Sequence, residues 1–261
     1  MDNRINTLFR NKKNEVLSVY FTAGFPKLDD TLKILRSLQW AGVDMVEIGI
    51  PFSDPVADGP VIQESNKKAL DNGMTLKNLF SQLEDFRKNI KIPVVLMGYF
   101  NTIFQFGVES FCRQCAETGI DGVIIPDLPA GEFISKYKPL FDRNNIKNIF
   151  MITPQTSDER IKMFDSVSDG FLYVVSSSKT TGTNLISDDF SKRYFEKIKK
   201  IKLSNPTMVG FGIHDKESFE IASKYANGAI IGSAYIKAIA ETKTFRNTTT
   251  EFIYKIRPKA N

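Results

Sequence analysis

The feature that most constrains the fold of this chain is a repeated alternation of short apolar segments with segments of helical spacing. The apolar segments occupy residues 16–21, 45–50, 94–99, 122–126, 148–153, 171–176, 207–212 and 229–232. Strands that alternate with helices predict a parallel sheet, and nearly continuous apolar strands indicate that both of its faces are buried. Eight such units within 261 residues predict an α/β fold, a (β/α)8 TIM barrel.

We expect a single barrel domain over residues 1–261, because no linker or shift in composition divides the chain. The polar segment 3–14 predicts an extra helix ahead of the first strand. The alternative architecture is an open, doubly wound sheet, which typically carries a GxGxxG motif in the turn after its first strand. No such turn follows residues 16–21, so the barrel is the preferred prediction.

Composition limits the functional class of the protein. The two cysteines, Cys112 and Cys115, are too few for a disulfide framework and indicate a reducing compartment. No segment approaches the roughly 20 apolar residues of a membrane span, and residues 1–15 lack the apolar core of a signal peptide. We therefore expect a cytoplasmic protein that does not bind a membrane. The net charge is +5, but basic residues are scattered, whereas nucleic-acid binding favours a basic stripe with interleaved aromatics; we expect no nucleic-acid partner.

In a barrel, functional residues lie at the carboxyl ends of the strands, and phosphate commonly binds after strands seven and eight. Glycines and a serine follow those two strands in this chain, at Gly210, Gly212, Gly232 and Ser233. Gly182, after the sixth strand, offers one more backbone N–H. The pattern favours a phosphate site, and the alternative is that these glycines only form tight turns.

Two acids stand at the second strand. Glu47 lies inside an apolar strand, where a carboxylate is costly unless it is paired or used, and Asp58 ends the following loop. Two carboxyl groups in different environments can divide proton transfer and charge stabilisation between them. The alternatives are an ion pair with a lysine or arginine for Glu47 and a turn or helix cap for Asp58, and the spacing alone does not decide between them.

The sequence offers few residues that could form a metal or redox site. His214 is the single histidine, so a histidine cluster is excluded and we expect no metal site. Cys112 and Cys115 have CxxC spacing but no second pair, and at helical spacing they predict buried packing. The long polar segment 176–189 is typical of a mobile lid, with a plain solvated connection as the alternative.

The segment VEIGIPFSDPVADGP, residues 46–60, resembles the signature of the tryptophan synthase alpha subunit family. Further matches follow in the family's order and spacing, and they cover essentially the whole chain. These are YFTAGFP at 20–26, YFNTIFQFG at 99–107, PDLP at 126–129, TTG at 180–182, GFGI at 210–213 and GSAYIK at 232–237. Lys179 departs from the pattern, since many relatives carry a smaller residue there.

The resemblance implies a carbon–carbon lyase that cleaves indole-3-glycerol phosphate to indole and glyceraldehyde 3-phosphate without metal or organic cofactor. It implies that Glu47 is the general acid and base and that Asp58 contacts the indole N–H. Residues that would line the indole pocket or support the acid are Tyr20, Tyr99, Asp127, Ile152 and Tyr173. Phosphate would be held by Gly182, Gly210, Gly212, Gly232 and Ser233, and Thr181 would close toward Asp58.

The resemblance also implies a partner, the tryptophan synthase beta subunit, in an assembly of two alpha and two beta chains through which indole passes. Two other functions remain open at this stage. One is a sugar-phosphate isomerase barrel, which would favour an acid at the end of the first strand, where this chain has Thr22 and Gly24. The other is a catalytically weak barrel that mainly activates the beta subunit.

Overall fold

A computed structural model describes residues 3–175 and 189–258 of the chain. Within these ranges eight parallel strands form one closed barrel in the order β1 to β8. The strands are β1 Val16–Thr22, β2 Met45–Gly49, β3 Val94–Met97, β4 Gly122–Ile124, β5 Lys147–Ile152, β6 Leu172–Val175, β7 Thr207–Gly210 and β8 Gly228–Ile231. The predicted (β/α)8 barrel is therefore confirmed.

Helices surround the barrel in the described part of the chain. They are α1 Arg4–Asn11, α2 Thr31–Trp40, α3 Pro60–Asp71, α4 Leu76–Leu83, α5 Phe100–Phe106, α6 Val108–Thr118, α7 Ala130–Glu132, α8 Lys138–Arg143, α9 Asp158–Val167, α10 Asp189–Ile201, α11 Lys216–Tyr225, α12 Ser233–Ile239 and α13 Phe245–Ile256. None of the helices within residues 3–175 and 189–258 combines the length and the apolar composition needed to cross a membrane.

Two helical regions differ from the sequence prediction. Residues 100–106 form α5, which the sequence pattern did not predict, and Gly107 at φ 90° separates it from α6. The sequence pattern over residues 132–144 predicts one helix, but these residues form the end of α7, a π-helical segment Phe133–Tyr137, and α8. Pro139 explains the second break, because it has no N–H to continue an α-helical ladder.

The predicted N-terminal helix α1 closes the amino-terminal end of the barrel. Asn3 caps it by accepting from the backbone N–H of Ile5, and its amide donates to the carbonyl of Asp121 at 2.8 Å. The Asp121 carboxylate is buried just before β4, and it accepts from Arg4, from Arg87 and from the N–H of Val94. These hydrogen bonds and ion pairs stabilise the amino-terminal end of the barrel. The carboxyl ends of the strands, where barrels carry their functional residues, lie at the opposite end.

Candidate active site

Glu47 is fully buried at the middle of β2. The strand register sets it between Tyr20 of β1 and Val95 of β3. Its Oε1 accepts a hydrogen bond of 3.3 Å from the hydroxyl of Ser18, while Oε2 has no hydrogen-bond partner among the described residues. No lysine or arginine in residues 3–175 and 189–258 pairs with it, so the structural ion pair is not found.

Burial raises the pKa of Glu47 from 4.5 to about 8, and the hydrogen bond from Ser18 only partly opposes this shift. A carboxyl group in that environment keeps its proton at neutral pH. Glu47 is therefore a protonated carboxyl group at the inner wall of the barrel, and one of its oxygens has no hydrogen-bond partner within the described residues.

Asp58 sits in the loop between β2 and α3, and it is nearly buried. Its backbone N–H donates to the carbonyl of Pro55 at 2.9 Å, and the Gln63 side chain donates to its carbonyl at 2.9 Å. The N-cap residue of α3 is Gly59, with no side-chain cap. The carboxylate of Asp58 is therefore not used as a helix cap.

Tyr99 holds the Asp58 carboxylate. Its hydroxyl donates to Oδ2 of Asp58 at 3.2 Å and accepts the backbone N–H of Ala57 at 3.1 Å, while its ring stacks on Phe52 at 5.0 Å. Burial raises the pKa of Asp58 to about 6, and the hydrogen bond from Tyr99 limits that rise. Asp58 is thus ionised at neutral pH, where Glu47 is protonated.

Tyr20 and Tyr173 are buried and lie close enough to both acids to interact with them electrostatically. Burial raises the pKa of each phenol, and the negative charges of Asp58 and Glu47 raise both further. Both rings lie over glycines of neighbouring strands. A Cβ at Gly49 would meet the Tyr20 hydroxyl at 2.1 Å, and one at Gly210 would meet the Tyr173 hydroxyl at 1.9 Å. Gly210 therefore provides space for Tyr173, whatever else its backbone binds.

The remaining predicted phosphate residues lie at the same end of the barrel. Gly212 follows β7 with φ 77°, and Gly232 is the N-cap of α12, whose first residue is Ser233. The predicted contacts Thr181 and Gly182, together with the predicted lid 176–189, lie outside the described residues but for position 189. Among the described residues, no group of three or more histidine, cysteine or acidic side chains is placed to hold a metal ion.

Asp127 is exposed at the rim of the barrel, and its Oδ1 accepts the backbone N–H of Phe100 at 2.8 Å. Phe100 is the first residue of α5 and directly follows Tyr99. Asp127 therefore anchors the turn that carries Tyr99, which is a supporting position.

The register does not bring Ile152 to the face of the acids. Ile152 pairs with Val174, whereas its neighbour Met151 pairs with Tyr173. Side chains of successive strand residues point to opposite faces, and Phe150, two residues before Ile152, stacks on an aromatic ring of α9. Met151, which the sequence analysis missed, is therefore the β5 residue on the Tyr173 face.

Comparison with known proteins identifies the family of this chain. The family model described as "Tryptophan synthase alpha chain" matches residues 7–260. The chain belongs to the tryptophan synthase alpha chain family. A tryptophan synthase alpha chain from Flavobacterium psychrophilum is 54% identical over 239 residues, which cover 92% of this chain and 94% of that one.

Solved structures of tryptophan synthases share the fold. An alpha chain from Legionella pneumophila subsp. pneumophila superposes with a TM-score of 0.88 at 31% identity, covering 98% of this chain and 97% of that one. A tryptophan synthase complex from Pyrococcus furiosus contains a chain with a TM-score of 0.84 at 33% identity, covering 94% and 98%. The tryptophan synthase alpha fold thus extends over nearly the whole chain.

Proposed function

We propose that this chain cleaves indole-3-glycerol phosphate to indole and glyceraldehyde 3-phosphate as the alpha subunit of a tryptophan synthase. One observation carries the proposal beyond family membership. Two buried carboxyl groups act on the same two phenols, Tyr20 and Tyr173, and they differ in protonation state, because burial raises the pKa of Glu47 to about 8 and that of Asp58 only to about 6. Retro-aldol cleavage of the side chain from C3 of an indole needs a group that protonates C3 and an anion that stabilises the resulting cation.

The reaction follows from these two states. Protonated Glu47 delivers its proton to C3 of the indole, which makes a cationic indolenine. Ionised Asp58 stabilises the positive charge from beside the ring N–H, as a preorganised anion in a water-poor site can. Glu47, now a carboxylate, removes the proton of the adjacent side-chain hydroxyl while the carbon–carbon bond breaks. Indole and glyceraldehyde 3-phosphate result, and Glu47 is protonated again.

We assign the other predicted residues to substrate binding. The aromatic rings of Tyr20, Tyr99 and Tyr173 surround the indole, with Met151 on the same face. The phosphate binds to backbone N–H groups at the ends of β6, β7 and β8. That set comprises Gly182, Gly210, Gly212, Gly232 and Ser233, with Thr181 closing over the site. The support is the location of Gly210, Gly212, Gly232 and Ser233 at the carboxyl end of the barrel, where this fold binds phosphate.

The same rim offers a docking surface for the beta subunit. Val56 is 84% exposed in the loop that carries Asp58, and Phe104 is 57% exposed on α5. The elements that carry them follow β2 and β3 at the carboxyl end of the barrel, exposed apolar side chains can form part of an interaction surface, and the Pyrococcus furiosus relative was solved as a tryptophan synthase complex. We propose that the beta subunit covers this rim, in an assembly of two alpha and two beta chains, and that the cytoplasm is the compartment.

Substitution of the two acids tests the proposal. Glu47→Gln and Asp58→Asn should each lower the rate of indole release by about 10²-fold or more. The first variant lacks the group that transfers the proton, and the second lacks the anion that stabilises the cationic ring. The exposed Glu64→Gln, on α3, is the matched control and should keep full activity. Circular dichroism and thermal unfolding should be used to check that all three variants fold. Turnover near that of the unmodified chain by Glu47→Gln would overturn the assignment.

A further inference from the structure

Glu47 depends on one neighbour for its orientation. Among the described residues, the hydroxyl of Ser18 is the one hydrogen-bond partner of its carboxyl group, at 3.3 Å from Oε1. Ser18 lies on β1 and is fully buried. A buried hydroxyl in a strand of apolar side chains costs stability unless it is hydrogen-bonded, so this contact explains the polar residue.

The strand register explains why Ser18 reaches Glu47. Tyr20 pairs with Glu47, and Ser18 pairs with Met45, one layer nearer the closed end of the barrel. Residues two apart on a strand share a face, so Ser18 and Tyr20 both point inward on either side of the carboxyl group. The hydroxyl of Ser18 bonds to Oε1, and Oε2 has no hydrogen-bond partner in the described structure.

We propose that Ser18 is a positioning residue for the proton transfers of Glu47: its hydroxyl fixes Oε1, so that Oε2 is the oxygen that gives and takes the proton. The inference rests on the proposed role of Glu47. It adds a residue that none of the sequence motifs assigned, because a single serine in an apolar strand carries no motif.

A hydroxyl suits a carboxyl group that cycles between two protonation states. It donates to Oε1 when the group is a carboxylate, and it still donates to Oε1 when Oε2 carries the proton, because the carbonyl oxygen of a carboxylic acid remains an acceptor. Ser18 therefore stays bonded through the cycle in which Glu47 loses a proton to carbon and regains one from oxygen. An alanine would leave both oxygens free, and the carboxyl group would lose its fixed orientation.

Other ionisable groups also lie near Glu47, and their influence on its titration must be distinguished from that of Ser18. They are Tyr20 from β1 and Tyr173 from β6, and both of these tyrosines also interact with Asp58, which accepts a hydrogen bond from Tyr99. From β3, Val95 is neutral. In the described structure none of these groups is hydrogen-bonded to Glu47, so substitution of Ser18 changes one contact only.

The test compares Ser18→Ala with Ser18→Thr and with Ser37→Ala, a nearly buried serine on α2 that bonds to a helix carbonyl. Loss of the donor should raise the apparent pKa of the alkaline limb of kcat by about one unit and lower kcat at the optimum about tenfold. Ser18→Thr should restore both, and Ser37→Ala should alter neither.

A second measurement keeps the inference testable if the threonine does not fit. The titration of Glu47, followed by ¹³C NMR of labelled glutamate in the protein without substrate, should move upward in Ser18→Ala by about the same unit. An unchanged titration and an unchanged alkaline limb, in a chain where Glu47→Gln is inactive, would overturn the role of Ser18 alone. Activity of Glu47→Gln would instead overturn the proposed role of Glu47.

Discussion

At the scale of single residues, the two acids predict a bell-shaped pH profile for kcat. Asp58 must be ionised, so the rate should fall as the pH drops below its pKa of about 6. Glu47 must be protonated at the start, so the rate should also fall as the pH rises above its pKa of about 8. Steady-state indole release across this range measures both limbs. In Asp58→Asn the residual activity should lack the acid limb, and persistence of that limb would contradict the assignment.

Glu47 also makes stability depend on pH. Its pKa is raised from 4.5 to about 8 in the folded chain. Between these values the folded chain holds a proton that the unfolded chain has released, so the free energy of unfolding falls as pH rises through this window. Glu47→Gln should remove that loss. Urea denaturation should show the variant gaining stability over the unmodified chain as pH rises, and an equal difference at both ends of the window would refute the buried, neutral carboxyl.

The sequence drew attention to Glu47 and Asp58 because a carboxyl group in an apolar strand or at the end of a rigid loop needs an explanation, whereas their roles came from the family resemblance and remain proposals. Sequence reasoning missed Ser18 because a small polar residue hardly alters an apolar pattern. It assigned Ile152 instead of Met151 because a shift of one residue reverses the face of every strand side chain. Only the observed pairing of β5 with β6 resolves that ambiguity.

At the scale of elements, closure of the barrel depends on Gly228 at the start of β8. A Cβ there would lie 2.0 Å from the carbonyl oxygen of Val16, which belongs to the backbone of β1 and cannot move aside cheaply. Gly228→Ala should therefore lower the free energy of unfolding by about 3 kcal/mol, as measured by urea denaturation.

Gly131 is the matched control for that change. It lies in α7, and no atom stands within 4 Å of its Cβ position. Gly131→Ala should be neutral or stabilise the chain by about 0.5 kcal/mol, since glycine is a poor helix residue. Equal losses in the two variants would show that the close approach of β8 to β1 is not what requires glycine.

The positions of the strands were predictable, whereas several helix boundaries were not. Strand segments are marked by apolar runs between glycines and prolines. The segment that forms α5, FNTIFQF, instead follows the apolar strand β3 closely and is itself rich in apolar residues, so its helix is not evident from the pattern. The π-helical turn before Pro139 depends on tertiary packing, because a proline alone predicts only a break.

At the scale of the whole molecule, substitutions at the closed end of the barrel should lower stability without lowering activity. Asp121 pairs with Arg87 at the closed end, where both are largely buried. Asp121→Ala would leave the Arg87 charge without its partner, which costs about 3–5 kcal/mol, and should hardly change kcat of the folded chain. Asp85→Ala, which breaks an exposed pair with Lys88, should leave stability and kcat unchanged. A large loss of kcat in folded Asp121→Ala would contradict this division.

The barrel itself could be predicted from eight alternating units, because chain length and strand burial leave few other arrangements. That residues 1–261 form a single domain, and that segment 176–189 acts as a lid, remain predictions. Docking of the beta subunit could not be read from spacing either, since it depends on which apolar side chains, such as Val56 and Phe104, stay exposed after folding.

The most direct test of the account is indole release from indole-3-glycerol phosphate by the purified chain, first alone and then with a tryptophan synthase beta subunit. We expect slow release by the chain alone, a marked increase with the partner, and loss of both in Glu47→Gln. An increase that survives in Glu47→Gln, or no release in either condition, would contradict the proposed retro-aldol site.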